Sequence, residues 1–333
     1  MTAPSDPNRP AVTDPIADAT TNIAAAPEPR VPTPISRVGI VAKMGLHEAA
    51  HLFDDIADWL TAKGVTCIFE TQTATLSARY KAGNRDYEAT ARSAEDLPRF
   101  VDLILLLGGD GTLIGTADRI AMAGAGVPIL GVNFGSLGFL TEITLPELYS
   151  ALDAAISGKA SIEDRLMLRA EIVRNGDVLN DVRVLNEVVV TRGALSRMSD
   201  LAVSVNGQFV ARFKADGIIV ATATGSTAYN LSAGGPIVHP GVDALVLTPI
   251  APHALSNRPV VIPAANATLV IQSLPSPLQH DVFVTFDGQS GFPLSPDHSV
   301  RITRAEQPLR LVRATTRSYF EVLRQKLKWA ERA

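Results

Sequence analysis

One cysteine, Cys67, in a chain of 333 residues leaves no partner for an internal disulfide, so the fold must be held by packing alone. A reducing compartment suits such a chain, and the expected setting is the cytoplasm. Charged residues are scarce at 19% and aromatic residues at 5%, while 46% of the chain is hydrophobic. That balance excludes a wholly disordered chain and allows a sizeable core. With a net charge of −4 and a pI near 5.9, no global field draws the chain to nucleic acid or anionic lipid. Anion binding must therefore be local. No apolar run reaches the roughly 18 residues of a membrane helix, and the start lacks the basic-then-apolar layout of a signal peptide. Neither nucleic acid nor a membrane is expected as a partner.

What is present is organised in three parts. Residues 1–34 are rich in Ala, Pro, Thr and Asp with few large apolar side chains, and they read as a disordered tail. From Ile35 short apolar strands alternate with helical stretches: a strand at 38–42, a helix near 47–63, strands at 66–69 and 102–107, a helix near 113–123, a strand at 128–132 and a helix near 146–157. Strands joined by crossover helices imply an α/β domain built on a parallel sheet, with ligands at the carboxyl ends of the strands. Past Ala160 β-branched runs and the hairpin signals Asn175-Gly176 and Asn206-Gly207 take over, including a long run at 182–190. The expected division is an α/β domain of residues 35–158 plus about 306–333 and a β-rich, sandwich-like domain of residues 159–305 between them. A last helix, about Ser318 to Trp329, is expected to return to the first domain.

The apolar run ending at Leu107 delivers Gly108-Gly109-Asp110-Gly111-Thr112, a carboxylate among three glycines. Glycine reaches positive φ freely and carries no Cβ, so backbone N–H groups can turn on a phosphate there. Thr112 is a candidate cap for the helix that follows. A second patch, Asp216-Gly217 through Thr224-Gly225-Ser226-Thr227-Ala228-Tyr229-Asn230-Leu231-Ser232 to Gly234-Gly235, repeats the order of strand, small polar turn and helix. Its hydroxyls can serve a polar ligand, and Tyr229 offers an aromatic face. Asn186-Glu187 opens the run Val188-Val189-Val190, where an amide and a carboxylate are poor strand formers but can bracket ribose hydroxyls.

Other motifs argue against themselves. His47-Glu48-Ala49-Ala50-His51 fits HExxH, but Leu52, Ile56, Trp59 and Leu60 define the buried face, leaving His47, His51, Asp54 and Asp58 as a solvated stripe with no third ligand. No metal-ligating residue of the chain is therefore expected. Gly131-Val132-Asn133-Phe134-Gly135-Ser136-Leu137-Gly138 lacks the dinucleotide spacing of a Rossmann dehydrogenase, and Gly225-Ser226-Thr227 is not a serine-hydrolase elbow.

Taken in order, Gly108 to Thr112, Gly131-Val132-Asn133 with Gly138-Phe139-Leu140, Asn186 to Val189, Asp216-Gly217 with Thr224 to Tyr229, and Arg258-Pro259 resemble bacterial NAD kinase over about residues 37–329. In diacylglycerol-type lipid kinases, the alternative enzyme class, an Asn-Glu pair follows the glycine turn almost at once; here Leu113-Ile114-Gly115 follows. A non-catalytic nucleotide sensor that kept the pocket is the other alternative. The resemblance implies transfer of the γ-phosphoryl of ATP, or in some members of polyphosphate, to the adenosine-ribose 2′-hydroxyl of NAD, with Mg²⁺ or another divalent metal. It implies Asp110 as proton acceptor, Gly111 in the turn around the phosphates, and Phe139 in the coenzyme pocket. Asn186 and Glu187 would hold the ribose, Thr224 and Thr227 to Ser232 would line the base pockets, and Asp216 would recognise the nicotinamide end. Looser matches assign contacts to Arg197, Lys214, Ala251 and Gln289. A homodimer or homotetramer is implied as well.

Overall fold

The computed structural model describes residues 31, 34–193, 198–274, 281–313 and 317–329. Arg197 and nearly all of the expected tail lie outside the described residues. Val31 corrects the tail's boundary: it is buried in the first core, and its N–H donates to the Ala160 carbonyl at 3.2 Å.

The first domain opens with β1 (Arg37–Ala42), α1 (Ala50–Ala62) and β2 (Thr66–Phe69), followed by three short helices, α2 (Thr71–Ala74), α3 (Ala78–Lys81) and α4 (Asp86–Thr90). Then come β3 (Leu103–Gly108), α5 (Asp110–Ala123), β4 (Ile129–Asn133), β5 (Ile143–Thr144), α6 (Leu148–Ile156) and β6 (Ile162–Arg165). Strands β1 to β5 pair in parallel. Every residue of β3 is buried because helices cover both faces of the sheet. Phe53, Ile56 and Leu60 of α1 and Leu148 and Leu152 of α6 pack on one face with Ile40 and Leu105; Leu113, Ala117 and Ile120 of α5 pack on the other with Ile104 and Leu106. The expected solvated stripe of α1 needs one correction. Asp54 is buried, accepting from the Ser77 hydroxyl at 2.7 Å and the Arg79 N–H at 3.1 Å, so it ties α1 to α3.

The chain then builds β7 (Leu168–Arg174), β8 (Asp177–Val184), β9 (Glu187–Arg192), β10 (Ser199–Val205), β11 (Gln208–Ala215) and β12 (Gly217–Thr222). Helix α7 (Tyr229–Ser232) separates these from β13 (Ala244–Ile250), β14 (Val260–Pro263), β15 (Thr268–Ser273), β16 (Val282–Phe286), β17 (Ser290–Pro293) and β18 (His298–Arg304). Asn175 and Asn206 take φ of 51° ahead of left-handed Gly176 and Gly207, the turn geometry their sequence predicts. Two antiparallel six-stranded sheets result, β11-β10-β15-β18-β7-β8 and β14-β13-β12-β9-β16-β17. Leu168, Ile172 and Val203 of the one and Val190, Ile218 and Leu247 of the other share a core, which makes the domain a sandwich.

Finally β19 (Leu309–Val312) enters the first sheet, whose order is β2-β1-β3-β4-β19-β6, and α8 (Tyr319–Leu327) ends the described chain. Two expectations change here. The junction expected at residue 159 moves past β6, because β6 pairs antiparallel with β19 and so belongs to the first sheet. The apolar run at 182–190 is two strands, not one: the N–H groups of Leu185, Asn186 and Glu187 are taken by the Asp287 carboxylate, and the chain crosses there from one sheet of the sandwich to the other. Helix α8 does reach the first domain, with Lys326 Nζ 5.8 Å from the Phe139 ring centre, and it also touches the second, where Tyr319 meets His239 edge-on at 4.7 Å.

Candidate functional site

Asp110 is the first residue of α5, directly beyond the carboxyl end of β3. Its Oδ1 accepts from the N–H of Leu140 at 3.1 Å, the N–H of Thr141 at 3.0 Å and the Thr141 hydroxyl at 2.9 Å, and its Oδ2 accepts from the Phe139 N–H at 2.8 Å. Four donors and no acceptor surround the group, so it is bonded as a carboxylate. Gly138 makes this possible. A Cβ there would lie 2.0 Å from Asp110 Oδ1. Asn133 supports the same loop by donating to the Ser136 carbonyl at 2.8 Å and the Thr141 hydroxyl at 3.0 Å, while its Oδ1 accepts from Gly135 N–H.

The glycines around Asp110 act differently from expectation. None of Gly108, Gly109 and Gly111 has a positive φ. Gly108 gives clearance to Thr112, whose Oγ1 would be 2.7 Å from a Cβ, and Gly109 and Gly111 face open space. Thr112 does not cap α5; the cap position is Gly109, with no side-chain bond.

Two cavities flank the first turn of α5, with Ile114 in the wall of both. The smaller, about 240 Å³, brings together the expected residues Asp110, Phe139, Asn186, Thr224, Thr227 and Ala228 with Arg165, Pro240 and Tyr319. The larger, about 670 Å³, is lined by Gly111, Thr112 and Gln289, the cations Lys43, Arg119 and Arg183, and the carboxylates of Glu70, Glu95, Asp118 and Asp287. Burial raises the Asp118 carboxyl above its usual value, against the Arg183 N–H that it accepts. The larger volume lies within the range of small-molecule sites, about 300–1,000 Å³. The smaller one admits part of a dinucleotide.

Asn186 and Glu187 sit where the chain changes sheets. Asp287 holds that crossing: Oδ2 accepts from Leu185 N–H at 2.7 Å, and Oδ1 from Asn186 at 2.7 Å and Glu187 at 2.9 Å. On the other side the Thr222 hydroxyl donates to the Leu185 carbonyl at 2.6 Å, and the Thr222 N–H to the Asn186 carbonyl at 2.8 Å. Gly225 packs so closely that a Cβ would lie 2.1 Å from the Asn186 oxygen. Burial, with the Asp287 charge beside it, pushes the Glu187 carboxyl up to about 8, and its Oε2 is buried without a partner. Burial likewise raises Asp287 to about 6 against the three amides that favour its charge.

Other expected residues fall elsewhere. Asn230 is fully buried, its Nδ2 donates to the Ser226 and Pro236 carbonyls, and its Oδ1 accepts from Thr248 at 2.6 Å, so its side chain braces the turn. Tyr229, Leu231 and Ser232 lie in α7, outside the walls of both cavities. Lys214, Asp216 and Ala251 cluster at the opposite end of β12 from Thr224, where His253 N–H donates to the Lys214 carbonyl, Asp216 N–H to the Ile250 carbonyl, and Arg192 pairs with Asp216 at 2.7 Å. At roughly 3.3 Å per residue, the length of β12 separates that cluster from the Asp110 cavity by about 17 Å or more.

Sequence reading passed over Arg165, Tyr319, Asp287 and Thr222. Asp287-Gly288 forms the turn between β16 and β17, with φ of 50° and 64°. Arg165 and Tyr319 stand alone in sequence, and only the pairing of β6 with β19 brings them to the cavity. Among the described residues no group of three or more His, Cys, Asp or Glu side chains could hold a metal ion, and no helix is long and apolar enough to cross a membrane.

Comparison with known proteins agrees with this fold. Residues 38–160 match the family described as ATP-NAD kinase N-terminal domain, and residues 185–314 that described as ATP-NAD kinase C-terminal domain. The chain is 44% identical over 300 residues to an NAD kinase of Geotalea daltonii, covering 90% of this chain and all of that one. An NAD kinase of Citrifermentans bemidjiense is 45% identical over 298 residues, with the same coverage. Among solved structures, yeast NADH kinase complexed with NADH superposes with a TM-score of 0.77 at 25% identity, covering 90% of each chain. An NAD kinase from Archaeoglobus fulgidus in complex with ATP gives 0.68 at 25% identity, covering 88% of this chain and 98% of that one.

Proposed function

This chain belongs to the NAD kinase family, phosphotransferases with an alcohol acceptor, and from that premise we propose that the Asp110 cavity receives the adenosine ribose of NAD and the larger cavity the phosphoryl donor. The reaction is transfer of the γ-phosphoryl of ATP to the ribose 2′-hydroxyl, which makes NADP. One observation carries the assignment of roles: Asp110 Oδ2 has a single donor, Phe139 N–H, and so keeps a lone pair in a cavity that Asn186, Thr224 and Thr227 also line. An acceptor oxygen held there by backbone amides suits a hydroxyl that must be aligned before it attacks.

In this reading the ribose hydroxyl donates to Asp110 Oδ2, its oxygen forms the new bond to the γ-phosphorus, and the bond to the leaving ADP breaks. The proton passes to Asp110 as transfer completes. Such a transition state is loose, so alignment and charge neutralisation matter more than basicity. Gly111 and Thr112 bring the N-terminal turn of α5 to the larger cavity, where the helix dipole favours phosphate. The divalent ion enters as part of the donor, bound to its phosphates. Asn186 and Thr224 hold the ribose side, and Glu187, whose carboxyl burial pushes up to about 8, follows Asn186 at the start of β9.

Lys214, Asp216 and Ala251 are too far along β12 to join the wall of this cavity, and we assign them to a coenzyme site completed by a second copy. That agrees with the homodimer or homotetramer expected from the resemblance. A cytoplasmic setting completes the proposal. The test is Asp110→Asn: calorimetry should still show NAD binding, while NADP formation, read by an NADP-dependent dehydrogenase with ATP and Mg²⁺ present, should fall by about 10²-fold or more. A variant that turns over at the wild-type rate would remove Asp110 from the reaction.

A further inference from the structure

Arg165 is the one cationic side chain among the described residues that line the Asp110 cavity. It is 3% exposed, and its Nε is buried with no hydrogen-bond partner. Glu163 lies near, its Oε1 3.2 Å from that Nε and its Oε2 accepting a long bond of 3.3 Å from Nη2. Yet Glu163 does not balance Arg165 alone. Arg313 Nη1 stands 2.7 Å from the same Glu163 Oε2 and 2.8 Å from Glu142 Oε1, so one carboxylate serves two guanidinium groups. Burial pushes Glu142 up to about 7, which weakens its hold on Arg313 and leaves Glu163 still more engaged there. Arg165 thus holds only a share of one carboxylate.

A second orphan belongs to another residue of the same wall. The Tyr319 hydroxyl, carried by α8, is buried without a partner, and Tyr319 lines the cavity. Buried polar atoms nearly always find hydrogen-bond partners, so a guanidinium N–H with only a shared ion pair and a hydroxyl without a bond, both on residues of one cavity wall, point to a ligand with several acceptor oxygens. Phosphate fits both the charge and the donors. Neutral ribose does not. Before transfer the acceptor carries only hydroxyls at Asp110; after transfer the same oxygen carries a phosphate of about −1.5 to −2 charge close to the Asp110 carboxylate, and needs a counter-charge.

We propose that Arg165 and the Tyr319 hydroxyl form a phosphate subsite within the acceptor cavity, which takes the phosphate placed on the ribose and so binds NADP in preference to NAD. The inference rests on the reading of this cavity as the ribose site. It makes product retention a property of residues that the reaction's own proton acceptor does not touch.

Titration calorimetry of the full-length protein with NAD and with NADP, donor absent, tests it in wild type, Arg165→Met and Tyr319→Phe. The wild type should bind NADP more tightly than NAD. Arg165→Met should weaken NADP by about 10- to 100-fold while NAD stays within about 3-fold, as expected for loss of bonds to a charged group. Tyr319→Phe removes one oxygen that bonds to nothing in the free protein, so its fold is safe. It should weaken NADP several-fold and leave NAD unchanged. Equal loss for both coenzymes, or no loss of NADP affinity in Tyr319→Phe, overturns the subsite. A wild type that phosphorylates NAD while giving either result leaves the ribose reading standing; a wild type that binds neither coenzyme overturns both.

Discussion

Gly138→Ala tests the Asp110 cradle without touching a reacting atom. An alanine Cβ would fall 2.0 Å from Asp110 Oδ1 and 2.5 Å from Thr141 Oγ1, where ordinary contact begins near 3.4 Å. Something must move by about 1.4 Å, and neither neighbour is the free end of a flexible chain, because both are fixed by bonds to the 139–141 loop. Either the carboxylate leaves its amides or the loop swings away. In both cases two or more charge-assisted hydrogen bonds are lost, at about 1.5–3 kcal/mol each, part of which water regains at the cavity mouth. A displacement of that size at the acceptor group is worth about 10²-fold in rate. The expected result is a fall of about 10²-fold in kcat, with stability lower by about 2–4 kcal/mol in urea titration. Gly109→Ala is the control, since a Cβ there meets nothing within 4 Å and the backbone is extended at φ −117°. It should leave the urea midpoint unchanged. If Gly138→Ala keeps kcat within about 3-fold of wild type, the amide cradle is not what aligns the acceptor, and the argument from geometry fails.

Two further outcomes follow from the buried carboxyls and from the reach of β12. Glu187, Glu142 and Asp287 are raised to about 8, 7 and 6. A carboxyl raised in the fold binds its proton more tightly there than in the unfolded chain, so its stabilisation is complete below the unfolded pKa and lost as pH rises through the folded one. The melting temperature of the free protein should therefore decline from about pH 5 to pH 9, and Glu187→Gln should flatten the upper part of that limb in scanning calorimetry; a variant curve parallel to wild type refutes the assignment. If Asp216 serves a coenzyme bound in a second copy, Asp110→Asn and Asp216→Asn are each impaired, yet co-expressed in equal amounts they should restore about a quarter of wild-type activity, the share of intact sites in a random dimer. No recovery over either variant alone places Asp216 outside the site.

The fold was legible where local pattern and tertiary demand coincide. β3 reads as a strand because it is apolar throughout, and it is apolar because helices bury both faces. Asn-Gly pairs announced two hairpins for the same reason that they form them: both residues must be left-handed. Legibility failed where a distant side chain overrules the local pattern. Nothing within residues 182–190 shows that an aspartate about a hundred positions later removes three N–H groups from the strand ladder. The motifs named the cavity residues Asp110, Asn186, Thr224 and Thr227, but residue types alone could not separate Thr224, which lines the smaller cavity, from Asn230, whose side chain braces the turn. Arg165 and Tyr319 were invisible because each comes from an element placed only by long-range pairing.

Asp110 and Asp287 use one device for two purposes. Each carboxylate takes three consecutive backbone N–H groups, one on Oδ2 and two on Oδ1, from a loop far away in sequence. A carboxylate so held fixes the loop as firmly as the loop fixes it, because releasing either leaves buried groups unpaired. At Asp110 the result is a fixed carboxylate in the wall of the smaller cavity; at Asp287, in the wall of the larger, it is a fixed crossing at Asn186-Glu187 that sets Asn186 in the wall of the smaller. Glycines are needed at Gly138 and Gly225, where backbone and carboxylate approach too closely for a Cβ, rather than for left-handed turns at Asp110 itself. The glycine-aspartate-glycine turn is thus only half of the acceptor site we propose. Its other half is the amide row at 139–141, and the rate should follow the position of that row even when the turn is left intact.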